Sequence, residues 1–251
     1  MPVQQTIGET MRIDGRKDDE LRKITVDLDY LDHPAGSCLV TMGKTRVLCA
    51  VSVENKVPQF LVGTGTGWLT AEYSLLPGST HERIQREAYT GRLKGRTQEI
   101  QRFIGRSLRP IVNLSLLGER TFIVDCDVIQ ADGGTRTAAV NGAFIALTRA
   151  INRMMQNRTF RVYPIIDHVA AISVGMVNGV QLLDLDYKED SQAEIDMNLV
   201  MTGKGMIVEV QATAEHMPVD KAQFDSMLEL GMKGIKKIIA LEKKVVGKDG
   251  V

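Results

Sequence analysis

Two short turn signals, each in a strand-rich stretch and each followed by an amphipathic helix, constrain this chain more than any other feature. Gly43-Lys44 separates the apolar runs 37–42 and 45–53, which predicts a β-hairpin. Asn178-Gly179 separates 168–177 from 180–187, and a two-residue Asn-Gly link is a strong hairpin signal. Further strands are expected at 24–31, 69–76, 121–130, 194–202 and 206–214. In 121–130, Phe122, Val124, Cys126 and Val128 share one face. Ile100, Phe103, Ile104 and Leu108 recur at the spacing of one helical face, which predicts a helix over 97–113 with Pro110 near its end. An alanine-rich helix is expected over 137–155 and a long one over 219–246, with Pro218 at its start. This order predicts an α+β fold built of two β–α pseudo-repeats, with helices packed on sheet faces. No low-complexity linker divides the halves, so residues 12–246 read as a single domain. Residues 1–11 read as a flexible extension and 247–251 as a C-terminal tail.

The formal net charge is zero, so binding of nucleic acid by overall charge is excluded, while a local basic patch is not. Cys38, Cys49 and Cys126 form no C-x-x-C pair and lie in apolar stretches. They read as small buried hydrophobes in a protein of the reducing cytoplasm. No stretch approaches the roughly 18 apolar residues of a membrane span, so no membrane partner is expected. His33, His81, His168 and His216 show no metal spacing and no triad with a nucleophile. The glycine-rich turn 63–67 is weak evidence of phosphate binding, because no helix follows it directly.

Three constellations carry chemistry. Between Arg83 and Arg109 stand seven arginines and Lys94, against only Glu87 and Glu99. A solvated helix face accounts for some of them. Arginine's rigid fork also suits phosphate, and such a concentration in a neutral chain fits a track for an RNA backbone. The second is Gln130-Ala-Asp-Gly-Gly-Thr-Arg-Thr137, between a strand and a helix. Two glycines allow close approach of the backbone, Thr135 and Thr137 offer hydroxyls, and Arg136 offers charge beside free N–H groups. A plain capped turn is the alternative, and it leaves the arginine unexplained. The third is acidic: Asp184, Asp186 and Asp190, then Glu194 and Asp196. Asp184 and Asp186 are expected on one strand face, as are Glu194 and Asp196. Such residues either end strands in solvent or hold Mg²⁺ with help from water and substrate phosphates.

At these residues the sequence resembles the ribonuclease PH family of bacterial phosphorolytic exoribonucleases. The likeness runs from about Met11 to about Leu241. It rests on Arg12-Ile-Asp-Gly-Arg-Lys, Gly67-Trp-Leu-Thr-Ala-Glu-Tyr, Gly95-Arg-Thr-Gln-Glu-Ile-Gln-Arg102, the segment Val124 to Thr137, Leu183-Asp-Leu-Asp-Tyr, Glu194-Ile-Asp-Met-Asn198 and Val208-Glu-Val-Gln211. The resemblance implies a pair of βαβα units and a homohexameric ring, a trimer of dimers. It implies a phosphate site on Arg96, Gly134, Thr135 and Arg136. It implies catalytic carboxylates on Asp190 and Asp196, which would also bind Mg²⁺ or, in its place, Mn²⁺. Arg83, Arg86, Arg92 and Arg102 would grip the RNA. The implied activity is that of a tRNA nucleotidyltransferase. Inorganic phosphate attacks the last phosphodiester of a tRNA precursor, or of other structured RNA such as rRNA, and a nucleoside diphosphate leaves; the reverse adds nucleotides. The rival is a catalytically inactive ring subunit that only threads RNA. Such a subunit would keep arginines but lose the carboxylates or the phosphate pair, whereas Arg96, Arg136, Asp190 and Asp196 all stand here.

Overall fold

Alanine and glycine at close intervals decide where the alanine-rich helix sits. In the computed structural model, which describes residues 12–214 and 218–247, that segment is helix α2, Thr135–Gln156. The expected extension 1–11 and residues 248–251 of the expected tail lie outside the described residues. Every residue from Thr137 to Thr148 is buried, as a helix covered on all sides requires. The small side chains let two sheets close on it. Any Cβ at Gly142 would meet the Cys49 sulfur at 2.6 Å, and one at Gly36 would meet the α2 backbone at 2.4 Å.

The first sheet has five strands: β1 Ile24–Leu28, β2 Gly36–Met42, β3 Thr45–Glu54, β4 Trp68–Leu75 and β5 Thr121–Gln130, in the order β1-β2-β3-β5-β4. Only the β4–β5 pair is parallel, and helix α1, Gly95–Leu108, lies in the connection between those strands. The second sheet is antiparallel: β6 Val169–Val177, β7 Val180–Leu183, β8 Ile195–Thr202 and β9 Ile207–Ala214, in the order β7-β6-β8-β9. A one-turn helix, α3 Tyr187–Asp190, follows β7, and α4, Lys221–Val245, covers β6 and β8. Two sheets with helices on their faces make the expected α+β architecture. All three cysteines are free and buried, and burial pushes the Cys49 thiol up.

Several boundaries differ from the sequence reading for identifiable reasons. The helix expected at 97–113 begins at Gly95 and stops at Leu108; Pro110, lacking an N–H, falls in a 3-10 turn, Arg109–Ile111. The strand expected over 180–187 ends at Leu183, because Asp184 turns into the left-handed region at φ +56°. Asp184 and Asp186 therefore share no strand face. Asp184 is buried, and Asp186 caps α3 in a capping box with Glu189. Glu194 likewise precedes β8 rather than sharing its face with Asp196. Helix α4 starts at Lys221, where Asp220 and Gln223 form a second capping box.

One polar side chain fastens α2 to the second sheet. Asn141, 2% exposed, donates to the Ala171 carbonyl at 3.0 Å and accepts from the Ala171 N–H at 2.8 Å. It satisfies both backbone groups of a buried strand residue. Asn141→Ala would strand both, at about 1–3 kcal/mol for each unsatisfied group. Denaturant unfolding should show a loss of about 2–4 kcal/mol, and a loss below about 0.5 kcal/mol would mean that water replaces the amide.

Candidate active site

The turn from β5 into α2 brings the two halves together. Gly133 (φ +74°) and Gly134 (φ +62°) both adopt the left-handed conformation that favours glycine. Gly133 has a second reason to be glycine. A Cβ there would lie 2.5 to 2.8 Å from the backbone of Leu185, Asp186 and Tyr187, in the other half of the chain. Thr45 holds the turn from below: its hydroxyl donates to the Gly133 carbonyl at 2.7 Å and accepts from the Asp132 N–H at 2.9 Å. Gly134 is the N-cap of α2 and offers no side chain, so no side chain caps the first turn of this 22-residue helix. That end of the helix opens onto a cleft of about 750 Å³ and presents the positive pole of the helix dipole to it.

Arg96, Thr135 and Arg136 line this cleft together with Asp190, Asp196 and Asn198. The residues expected to bind phosphate and metal, separated by as much as 100 positions in the chain, thus face one space. Thr135 accepts a hydrogen bond from the buried Tyr73 hydroxyl at 2.9 Å. Thr137, by contrast, is fully buried and its hydroxyl donates to the Gly134 carbonyl, so it is not available to a ligand. Arg136 is already oriented. It donates to Gln211 Oε1 at 2.9 Å and pairs with Glu99 at 3.4 Å. Arg96 is exposed near the start of α1, where the Glu87 carboxylate accepts from the Lys94 N–H and the Thr97 hydroxyl.

Burial dominates the acidic side. It raises the Asp190 carboxyl above its usual range, against the pull of Arg96, Arg136 and Arg22. Asp196 is pushed up to about 6, first by burial and then by the nearby charge of Asp190, and the Asn198 amide at 3.2 Å offsets part of this. Among the described residues no group of three or more His, Cys, Asp or Glu is placed to hold a metal ion. Two hard carboxylates that repel each other suit an ion such as Mg²⁺, which keeps water and phosphate oxygens as its other ligands.

The N-terminal motif quoted without a role in the sequence reading supplies the frame. Arg12 makes a two-pronged contact with the Glu189 carboxylate at 2.7 and 2.5 Å and donates to the Leu183 carbonyl. It thereby fixes α3, which carries Asp190. Arg22 donates to Asp184 Oδ1 at 2.6 Å and to the Asp132 carbonyl at 2.6 Å, while its own N–H donates to Asp184 Oδ2. Arg22 and Asp184 lie 162 positions apart, and no local pattern marks them as a pair.

The arginine run is divided. Arg86 and Arg92 line a second cleft of about 640 Å³, together with Glu72, Asp125 and Asp127. Burial raises both aspartates there, and the charge of Arg86 partly offsets this at Asp127. Arg83 and Arg102 are exposed and line neither of these two clefts. The glycine-rich turn 63–67 lines neither as well.

Because Asp196 holds its proton to about pH 6 when folded, against 3.8 for an unperturbed aspartate, its ionised form destabilises the fold. The penalty is absent below pH 4, grows between pH 4 and 6, and is complete above pH 6. It amounts to about 3 kcal/mol at 1.36 kcal/mol per pH unit. In buffer without divalent cations, Asp196→Asn should therefore raise the unfolding temperature at pH 8 and leave it unchanged at pH 3.5. Equal unfolding temperatures at pH 8 would mean that the carboxylate is better solvated than its burial indicates.

Comparison with known proteins agrees with this geometry. Residues 20–151 match the model of the 3′ exoribonuclease family, domain 1, and residues 167–234 match domain 2 of the same family. The chain is 55% identical over 237 residues to ribonuclease PH of Moorella thermoacetica, covering 94% of this chain and 95% of that one. It is 54% identical over 239 residues to ribonuclease PH of Bacillus subtilis, covering 94% and 97%. Among solved structures, a chain of the Archaeoglobus fulgidus exosome with RNA bound to the active site superposes with a TM-score of 0.79 at 22% identity, covering 94% of this chain and 92% of that one. Rice Rrp46 superposes with a TM-score of 0.76 at 20% identity, covering 94% and 100%. These two likenesses establish the fold, and the family matches with the high identities establish membership: the chain belongs to the 3′ exoribonuclease family.

Proposed function

We propose that this chain is a phosphate-dependent 3′-to-5′ exoribonuclease, a nucleotidyltransferase that trims tRNA precursors and other structured RNA such as rRNA. The observation that carries the reading is one cleft that holds an uncapped helix start, Arg96 and Arg136, and Asp190 and Asp196. A ring subunit that only threads RNA has no need of these two opposed charge sets in one space.

Inorganic phosphate binds at the start of α2, on the backbone N–H groups beside Gly134, the Thr135 hydroxyl, and the Arg96 and Arg136 side chains. The RNA enters with its last phosphodiester toward the carboxylates. An oxygen of the bound phosphate attacks the scissile phosphorus, and the bond to the 3′ oxygen of the preceding nucleotide breaks. That oxygen takes up a proton, and the terminal residue leaves as a nucleoside diphosphate. Asp190 and Asp196 would hold Mg²⁺, or Mn²⁺ in its place, which neutralises the scissile group when bound. One of the two aspartates, Asp196, would also help to protonate the leaving 3′ oxygen. The two arginines offset the repulsion between two anions, as charge placed in advance does in phosphoryl transfer generally. Microscopic reversibility gives nucleotide addition from nucleoside diphosphates.

The exposed Arg83, Arg86, Arg92 and Arg102 hold RNA backbone outside the cleft. The shared core of residues from both sheets supports one folding unit over 12–246. Three free, buried cysteines fit a cytoplasmic enzyme, and no helix among the described residues is long and apolar enough to cross a membrane.

The defining test is RNA trimming with and without inorganic phosphate, with the released nucleotide identified. Nucleoside diphosphate should appear only with phosphate; nucleoside monophosphate released by water would overturn the reading. Arg136→Ala should raise the phosphate concentration for half-maximal rate and slow the maximal rate about 100-fold or more. Asp196→Asn should abolish turnover while RNA binding persists. Normal phosphate dependence in Arg136→Ala would remove Arg136 from the phosphate site.

The assembly that goes with this reading is a homohexamer, a trimer of dimers. Light scattering should give about six times the 27.7 kDa chain mass. A fully active monomer would show that the ring is not required.

A further inference from the structure

The cleft is not uniformly charged. Besides arginines and carboxylates, its lining includes Leu75, Ile84 and two aromatic rings, His81 and Tyr187. The ring centroids lie 5.8 Å apart at an interplanar angle of 52°. His81 is exposed and Tyr187 is 50% exposed, so faces of both rings remain open to a ligand. His81 comes from the segment after β4, in the first half, and Tyr187 is the first residue of α3, in the second.

Tyr187 is placed by the same short helix that places Asp190. Positions i and i+3 of a helix turn are neighbours on one face, with Cβ atoms about 5–6 Å apart. A phosphate held near Asp190 would leave the group one ribose away within reach of the Tyr187 ring. The bond cleaved joins the terminal nucleotide's own 5′ phosphate to the preceding sugar. The group one ribose from that phosphate is the base of the nucleotide that departs.

We propose that His81 and Tyr187 form a stacking subsite for the base of the 3′-terminal nucleotide, the one released as a nucleoside diphosphate. The proposal rests on the exoribonuclease reading of the cleft. Every base has a π-face, so the pair holds the RNA end without choosing its sequence, as removal of successive nucleotides from one end demands. The Tyr187 ring carries the contact, and His81 supports it. Loss of one stacked base is worth roughly 5- to 150-fold in affinity.

The test is calorimetric binding of two ligands in Mg²⁺ buffer, ADP and ribose 5-diphosphate, which differ only by the base. Wild type should bind ADP at least tenfold more tightly. Tyr187→Ala should weaken ADP about tenfold or more and leave ribose 5-diphosphate unchanged; His81→Ala should do the same to a smaller degree. Tyr187→Phe should bind both as wild type does, which separates stacking from damage to α3. In phosphorolysis, Tyr187→Ala should raise KM for RNA without changing the half-saturating phosphate concentration. Equal loss of both ligands in Tyr187→Ala, or no preference for ADP in wild type, would overturn the subsite. Release of no nucleoside diphosphate by wild type is a separate readout, and it would overturn the reading on which the subsite rests.

Discussion

A guanidinium removed from water joins the two halves of this molecule at the point where its chemistry happens. Arg22, from the segment before the first strand, reaches the carboxylate of Asp184 in the second half and the Asp132 carbonyl in the first. Both ends of the ion pair are almost fully buried. A buried pair gains little net stability over well-packed apolar residues, yet breaking it by removing one partner costs about 3–5 kcal/mol. Its value here is positional. It holds the two left-handed glycines of the turn between β5 and α2 against the Leu185–Tyr187 backbone, at a distance that only a missing Cβ permits at Gly133.

The anion-binding turn and the carboxylates then follow as consequences of one docking. Arg12 anchors Glu189, which also closes the capping box of α3, and so ties the helix bearing Asp190 to Leu183. On the other side, Thr45 and Tyr73 lend hydroxyls to the turn and to Thr135. Helix α2, buried between sheets through its small residues and tied to β6 by Asn141, carries the turn as its own N-terminus. The site is precise because rigid elements, not flexible loops, hold its charges in place.

Arginines and carboxylates share one cleft, and burial holds the Asp190 and Asp196 carboxyls above their usual range. His81 and Tyr187, with ring centroids 5.8 Å apart, line the same cleft. A second cleft, in which Arg86 and Arg92 face Glu72, Asp125 and Asp127, shows that the arginine run is not one continuous cationic track.

What the sequence alone determined was whatever is encoded locally or by period. The hairpins at Gly43-Lys44 and Asn178-Gly179, the face of Phe122, Val124, Cys126 and Val128, and helices α1, α2 and α4 follow from turn chemistry and spacing, whereas the one-turn α3 does not. The Gly133-Gly134-Thr-Arg136 turn read as a candidate anion site from its two glycines, hydroxyl and arginine ahead of a helix, and the structure places it at the uncapped start of α2. Tertiary structure alone decided the rest. Asp184 looked like one strand carboxylate among several, but its left-handed backbone and its distant partner Arg22 turn it into a buried clamp. Thr137 looked like a ligand hydroxyl and faces inward. Arg86 and Arg102 stand in one run yet differ in surroundings, because the chain folds between them. The physical reason is common to these cases. Periodicity tells which face of an element is apolar, whereas a polar group's role depends on the partner that it meets, and here that partner comes from as much as 162 residues away.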